Sequence, residues 1–144
     1  HRVDRRQRQM CIRDRFSPLG RGIFALNTPD PATFKDGDFR KGTPRFTEPN
    51  FGYNVARVQV FKTLAKELGT HPVTLAIAWC LNRGPHLIPI PGTRSAEHLA
   101  QCAAASDFVM PSEIMEAIET TLPVGWAHGD RYTTQQWIGP EGYC

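Results

Sequence analysis

Cysteine is sparse and unpatterned in this 144-residue chain: Cys11, Cys80, Cys102 and Cys144 stand far apart, with no Cys-x-x-Cys pair. No Cys/His cluster has zinc-ligand spacing, so a zinc-stapled or disulfide-framed domain is excluded and a reducing, cytoplasmic setting is expected. No stretch approaches the roughly 18 consecutive apolar residues of a membrane span, and no apolar core follows the charged N-terminal segment, so neither membrane span nor secretory signal is expected. Internal repeats are lacking. So is any set of nucleophile, base and orienting group. His71, His86, His98 and His128 have no carboxylate or cysteine partner whose spacing singles them out. Tyr53, Tyr132 and Tyr143 have no evident lysine partner to depress a phenol pKa.

What is there begins with an uneven charge. The formal net charge is +3, but residues 1–15 hold six arginines against Asp4 and Asp14, and the other 129 residues carry 11 basic and 12 acidic side chains. The basicity belongs to the leader, which has no interleaved aromatics or recognition motif, so no nucleic-acid partner is expected. With only Val3, Met10, Cys11 and Ile12 as apolar material, residues 1–15 are expected to lie outside the fold and to be foreign to it. Residues 16–144 then form the folded body, with a globular apolar content of 40% over the chain.

Two segments stand out in that body. Ser17-Pro18-Leu19-Gly20-Arg21-Gly22 and Ile88-Pro89-Ile90-Pro91-Gly92-Thr93-Arg94-Ser95 each read as a short strand ending in a glycine-bearing turn. Such turns leave backbone N–H groups free to meet an anion. About seventy residues separate them, room for the helices that bring a second strand back parallel to the first, with both loops at the carboxyl ends.

From Asn27 to Tyr53 the chain is rich in Pro, Gly, Asp, Thr and Asn, with Phe34, Phe39, Phe46 and Phe51 spaced through it. It reads as a long ordered loop, either ligand cover or packing over a sheet end. Asn54 predicts the cap of a helix over Val55–Leu68, stopped by Gly69. Pro72 opens a second, nearly all-apolar helix over about 72–82 that includes Trp79 and Cys80, both read as packing residues. His86–Ile90 is the second strand. A third helix runs from Ser95 to about Ala105, and Pro111 opens a fourth. The aromatic tail from Pro123 (Trp126, Tyr132, Trp137, Tyr143) drapes over the rest.

In the first loop, Ser17 can bond a phosphate oxygen, the Leu19 and Gly20 amides are candidate donors, and Gly20 and Gly22 remove Cβ where a ligand approaches. Gly92-Thr93-Arg94-Ser95 joins a glycine, two hydroxyls and an Arg to a helix N-terminus, where amides and the helix dipole favour an anion. Arg94 suits a phosphate monoester because its planar fork makes paired charged hydrogen bonds. His98 and Gln101 follow on one face of the third helix, at the rim of the same ligand or, for His98, simply in solvent.

The series Phe16–Gly22, Asp38-Phe39-Arg40, Pro44-Arg45-Phe46, Asn50, Asn54, Leu75–Trp79, Pro89–Ser95 and Gly129-Asp130-Arg131-Tyr132 resembles the C-terminal half of an aldo-keto reductase, over about residues 16–132. The branch it resembles most holds general aldehyde and pyridoxal-type reductases. The resemblance implies an α/β fold: the last two β/α units and tail of a truncated (β/α)8 TIM barrel, with strand seven closing at Phe16–Gly22 and strand eight at Leu87–Ile90. It implies that Ser17, Leu19, Gly20, Arg21 and Gly22 hold the pyrophosphate of NADPH, and that Gly92, Thr93 and Arg94 hold its 2′-phosphate. His98, Gln101 and Cys102 then lie near the adenosine, Gln101 and Cys102 where the family usually has Glu and Asn. His71 stands where a Thr usually caps the helix. The reaction implied is hydride transfer from NADPH to an aldehyde or ketone. Its Tyr, Lys, Asp and His come from the first half of the barrel, and no residue here matches them. The implied partners are a small carbonyl substrate and the missing N-terminal half, with the chain alone inactive. The competing reading is a non-catalytic scaffold that binds nucleotide phosphates or nucleic acid.

Overall fold

In the computed structural model, which describes residues 13–137, two strands pair in parallel. They are β1 (Arg13–Phe16) and β2 (Leu87–Ile90), with Arg13 opposite Leu87 and Phe16 opposite Ile90. Parallel neighbours need a long crossover, and the intervening chain supplies it with α1 (Asn50–Glu67) and α2 (Pro72–Asn82). After β2 come α3 (Ala96–Ala103) and α4 (Ser112–Thr121). The order is that of a small α/β fold with a long insertion after its first strand.

The fold begins earlier than residue 16. Arg13, Asp14 and Arg15, which composition places outside it, form most of β1. Strand pairing is made by backbone groups, and the partner β2 carries the apolar side chains. Residues 1–12 of the basic leader lie outside the described residues. In β2 the sides alternate: Leu87 is buried, while Ile88 and Ile90 are 43% and 49% exposed. Phe16, level with Ile90, is 47% exposed. Parallel sheets are ordinarily covered on both faces; here one apolar face is open.

α1 starts a turn before the predicted Asn54 cap. The Glu48 carboxylate accepts from the Gly52 N–H at 3.3 Å, and Asn54 is drawn inside the helix by contacts described below. α2 is capped by His71, whose Nδ1 accepts from the Val73 N–H at 3.2 Å. His71 thus does the work of a capping hydroxyl. Burial pushes its pKa down, the nearby His98 acts in the same direction and Glu97 opposes, so the unprotonated acceptor form is favoured. Ser95 caps α3 by accepting from the His98 N–H at 3.4 Å, and Pro111 sits at the N-cap of α4.

The helices bury two adjoining clusters. Phe61 and Ala65 of α1 meet Leu75 and Ala76 of α2 and Ile118 of α4. Val73, Ile77 and Ala78 of α2 meet Cys102 and Ala105. Cys80 is buried, as its packing role predicts. Trp79 edges an apolar cavity of about 160 Å³ shared with Phe24, Phe61, Ile118 and Trp126. Its buried indole Nε1 has no acceptor among the described residues, an arrangement that costs on the order of 1–3 kcal/mol.

The long loop is ordered around phenylalanine. Phe34 and Phe46 are buried, with ring centroids 5.8 Å apart, and Phe51 stacks on Phe46 at 5.9 Å. Phe39 does something else: half-exposed, it meets the tail at Tyr132, 6.0 Å between centroids. Tyr132 in turn meets Trp137 at 5.2 Å, and Trp126 meets Phe24 at 6.1 Å, so the tail drapes as expected. Tyr143 lies outside the described residues.

Candidate functional site

Both glycine-bearing loops leave the same end of the sheet, because β1 and β2 are parallel neighbours in register. The first turn is tight. Ser17 and Arg21 adopt φ of 51° and 61°, conformations a side-chain-bearing residue takes up only at a cost. Gly20 is required by space as well as by its φ of 55°: a Cβ there would stand 2.9 Å from Ile23 Cγ2. The Gly20 N–H is not free for a ligand, since it donates to Ser17 O at 2.9 Å, and the Gly22 N–H donates to Leu19 O at 3.0 Å. Of the two amides predicted as donors, the one at Leu19 is without an acceptor among the described residues.

Arg21 does not extend freely toward a ligand. Its guanidinium lies between the Phe39 and Tyr132 rings, 4.7 Å from each centroid, and Nη1 donates to Arg131 O at 2.5 Å. Burial lowers its pKa, with Tyr132 opposing and Arg131 adding to the fall. One side chain therefore ties the strand-end turn to both the long loop and the tail. Arg40 supports it from below. Its Nη1 donates to Arg21 O at 3.4 Å, and its fork grips Asp38 through Nε and Nη2 at 3.0 and 2.7 Å. Those hydrogen bonds hold the Asp38 carboxyl down at about 2.

Asn54 is the second tie. It is 1% exposed, and its Nδ2 donates to Arg45 O at 3.2 Å and His128 O at 3.0 Å. Its Oδ1 accepts from the His128 N–H at 2.8 Å. Arg45 Nε donates to Gly129 O at 3.1 Å. Gly129 lies so close to the long loop that a Cβ would meet Pro44 C and O at 2.8 Å. Asn54→Ala removes three part-buried hydrogen bonds to backbone groups and is expected to cost about 1–3 kcal/mol of local stability. The readout is hydrogen exchange of the His128 amide. Unchanged protection there would show that Asn54 does not hold the tail.

The second loop is open. Gly92, Thr93 and Arg94 are exposed, and Thr93 Oγ1 accepts from the Ser95 N–H at 3.2 Å, fixing the turn. His98 is exposed on α3, and Gln101 Nε2 donates to Glu97 Oε1 at 3.4 Å. Cys102 corrects the expectation placed on it. It is buried against Val73, Ile77, Ala78 and Ala105, not on the exposed face with His98. Four positions on from His98 in a helix the face is shared, but α3 packs its last turn on α2, and burial pushes the Cys102 thiol pKa up.

The sequence alone marked none of Arg45, Arg131, Phe39 and Tyr132 as a binding-site residue. The signal was an arginine in a Pro/Gly-rich loop and another in an aromatic tail. Nothing local said that they would meet. Arg45 and Arg131 line one cleft with Phe16, Ser17, Gly20, Arg21 and Phe46, and Phe39 and Tyr132 hold Arg21 between their rings.

A family model described as the aldo/keto reductase family matches residues 14–122. Aldo-keto reductase str7 of Strobilurus tenacellus is 30% identical over 116 residues, 81% of this chain and 34% of that protein. Aldo-keto reductase yakc [NADP(+)] of Schizosaccharomyces pombe is 33% identical over 115 residues, 76% of this chain and 34% of that one. Among solved structures, the glycerol dehydrogenase of Gluconobacter oxydans superposes with a TM-score of 0.66 at 26% identity, over 74% of this chain and 32% of that one. The chain thus spans about a third of the length of the relatives it matches. With the family model reaching from β1 through α4, this chain belongs to the aldo/keto reductase family.

Proposed function

We propose that this chain is the C-terminal part of a (β/α)8 barrel reductase and supplies the NADPH-binding end of a site that reduces an aldehyde or ketone. The observation that carries this reading is the shared exit of the two loops from parallel neighbours. Chemistry in such barrels sits at the carboxyl ends of the strands. The residues present suit the dinucleotide. Gly20 keeps the strand-end turn tight against Ile23 and Phe24, and the neighbouring Leu19 N–H is without an acceptor among the described residues. Arg94 is exposed at the N-terminus of α3, where a monoester phosphate is favoured by both guanidinium and helix dipole. One relative's name includes NADP(+). When bound, the nicotinamide would supply hydride to the carbonyl carbon. The chain's own residues bind and orient: Arg21 holds the turn, Asn54 holds the tail over it, and Gln101 with His98 forms the rim. Cys102, turned inward, is not part of that rim.

Residues 13–144 joined after the N-terminal portion of the S. pombe relative provide the test. The fusion is expected to bind NADPH with saturable fluorescence change and to oxidise it when given an aromatic aldehyde. A folded fusion that binds neither NADPH nor NADH would overturn the reading.

A further inference from the structure

Three arginines converge at the end of β1 from three segments: Arg21 from the strand-end turn, Arg45 from the long loop and Arg131 from the tail. Among the described residues the ion pairs are Arg40–Asp38, Lys41–Asp36 and Arg83–Glu119, so none of the three has a carboxylate partner there. They are held by other means. Arg21 lies between two rings, Arg45 Nε donates to Gly129 O, and the Arg131 guanidinium lies 5.1 Å from the centre of the Phe16 ring. Burial lowers the Arg45 pKa first, and Arg131 and Arg21 push it further, with Asp130 in weak opposition. Like charges gathered in a half-buried place repel one another more strongly than in water. An oxyanion placed among them relieves that repulsion and accepts from forks built for it.

Two features decide which anion. The Nη groups of Arg45 have no acceptor among the described residues, and Nε alone is spent on the backbone. The cleft, about 70 Å³, is walled by Phe16 and Phe46 as well as by the arginines. A single oxyanion with an apolar stem suits such walls, whereas two linked phosphates would set charged oxygens against both rings. The arginines also come from the loop and tail that lie over the strand ends, the segments that vary with substrate in a barrel. We infer that Arg45 and Arg131 form a subsite for the carboxylate of a carbonyl substrate that carries one. This rests on the reductase reading above, and it specifies an anionic aldehyde or ketone as the preferred class.

The first arm measures binding without turnover, on the 144-residue chain and on the fusion. Succinate is titrated by tryptophan fluorescence, with uncharged succinamide and inorganic pyrophosphate alongside; Trp137 packs on Tyr132, which covers Arg21, and reports the cleft. Succinate is expected to bind and succinamide not to. Arg45→Gln and Arg131→Gln should each raise the succinate Kd about tenfold, with Arg45→Lys between, since it keeps the charge and loses the fork. NADPH affinity of the fusion should be unchanged by all three. Absence of succinate binding in both proteins overturns the proposal, as does an unchanged Kd in both Gln variants. If pyrophosphate binding and NADPH affinity fall together in those variants, the arginines serve the cofactor and the proposal is overturned in favour of that role. The second arm compares 4-carboxybenzaldehyde with 4-methylbenzaldehyde in the fusion. Arg45→Gln should raise KM about tenfold for the acid alone, leaving kcat and the neutral aldehyde unchanged; an equal change for both aldehydes overturns it. A fusion that reduces neither aldehyde while binding succinate through Arg45 fails the reductase reading, and with it the assignment of the anion to a substrate.

Discussion

The 144-residue protein assayed alone is expected to show no NADPH-dependent reduction of a reactive aromatic aldehyde above a heat-treated control. Hydride arriving at a carbonyl carbon leaves an alkoxide that needs a proton donor within hydrogen-bond reach, a contribution of about 10²–10⁴ in rate. The tyrosines in view are placed for other work. Tyr132 is enclosed by Arg21, Phe39 and Trp137, and Tyr53 lies tilted against His128 with 5.0 Å between ring centres. Two of the lysines are likewise committed: Lys62 Nζ donates to Leu26 O at 3.0 Å and to Thr28, and Lys41 pairs with Asp36. No acid and base meet at the mouth of the cleft among the described residues. The open face formed by Phe16, Ile88 and Ile90 also lacks the cover that would exclude water from a reacting site. Turnover that follows the protein through successive purification steps would refute this account and require an unrecognised proton donor within these residues.

How far the sequence disclosed the site depended on how local each signal was. The helix start at Ser95, the helix after Pro72 and the paired strand ends are all written within a few neighbouring residues, and they stand where expected. Asn54 misled because its local chemistry is that of a cap. Its three hydrogen bonds instead reach Arg45 and His128, the latter 74 positions away. No window of sequence holds both ends of that contact. The meeting of Arg45 and Arg131 was hidden for the same reason, and Arg21 looked like a ligand-facing residue until its two aromatic neighbours arrived from separate segments. β1 was lost to composition: Arg13-Asp14-Arg15 has no strand character in its side chains, and only β2 defines it. Cys102 turned on which face of an eight-residue helix is buried, a choice made by α2 rather than by α3.

Arg94 is where the sequence assignment and the structure leave the clearest choice. Its guanidinium is exposed, beside the N-terminus of α3 and next to a turn fixed by Thr93, and no acceptor holds it among the described residues. A residue needed for the turn itself would be tied to it, as Arg40 is to Asp38. The 2′-phosphate distinguishes NADPH from NADH, and charge-assisted hydrogen bonds to it in a partly exposed groove are worth about 1.5–3 kcal/mol. In the fusion, Arg94→Ala is therefore expected to weaken NADPH about ten- to a hundredfold, at about 1.4 kcal/mol per decade, and to change NADH much less. Titrating each cofactor against intrinsic fluorescence reads both numbers from one protein. Equal losses for the two cofactors would mean that Arg94 shapes the loop instead of reading the phosphate. No loss for either would leave it in solvent and remove the structural ground for preferring NADPH.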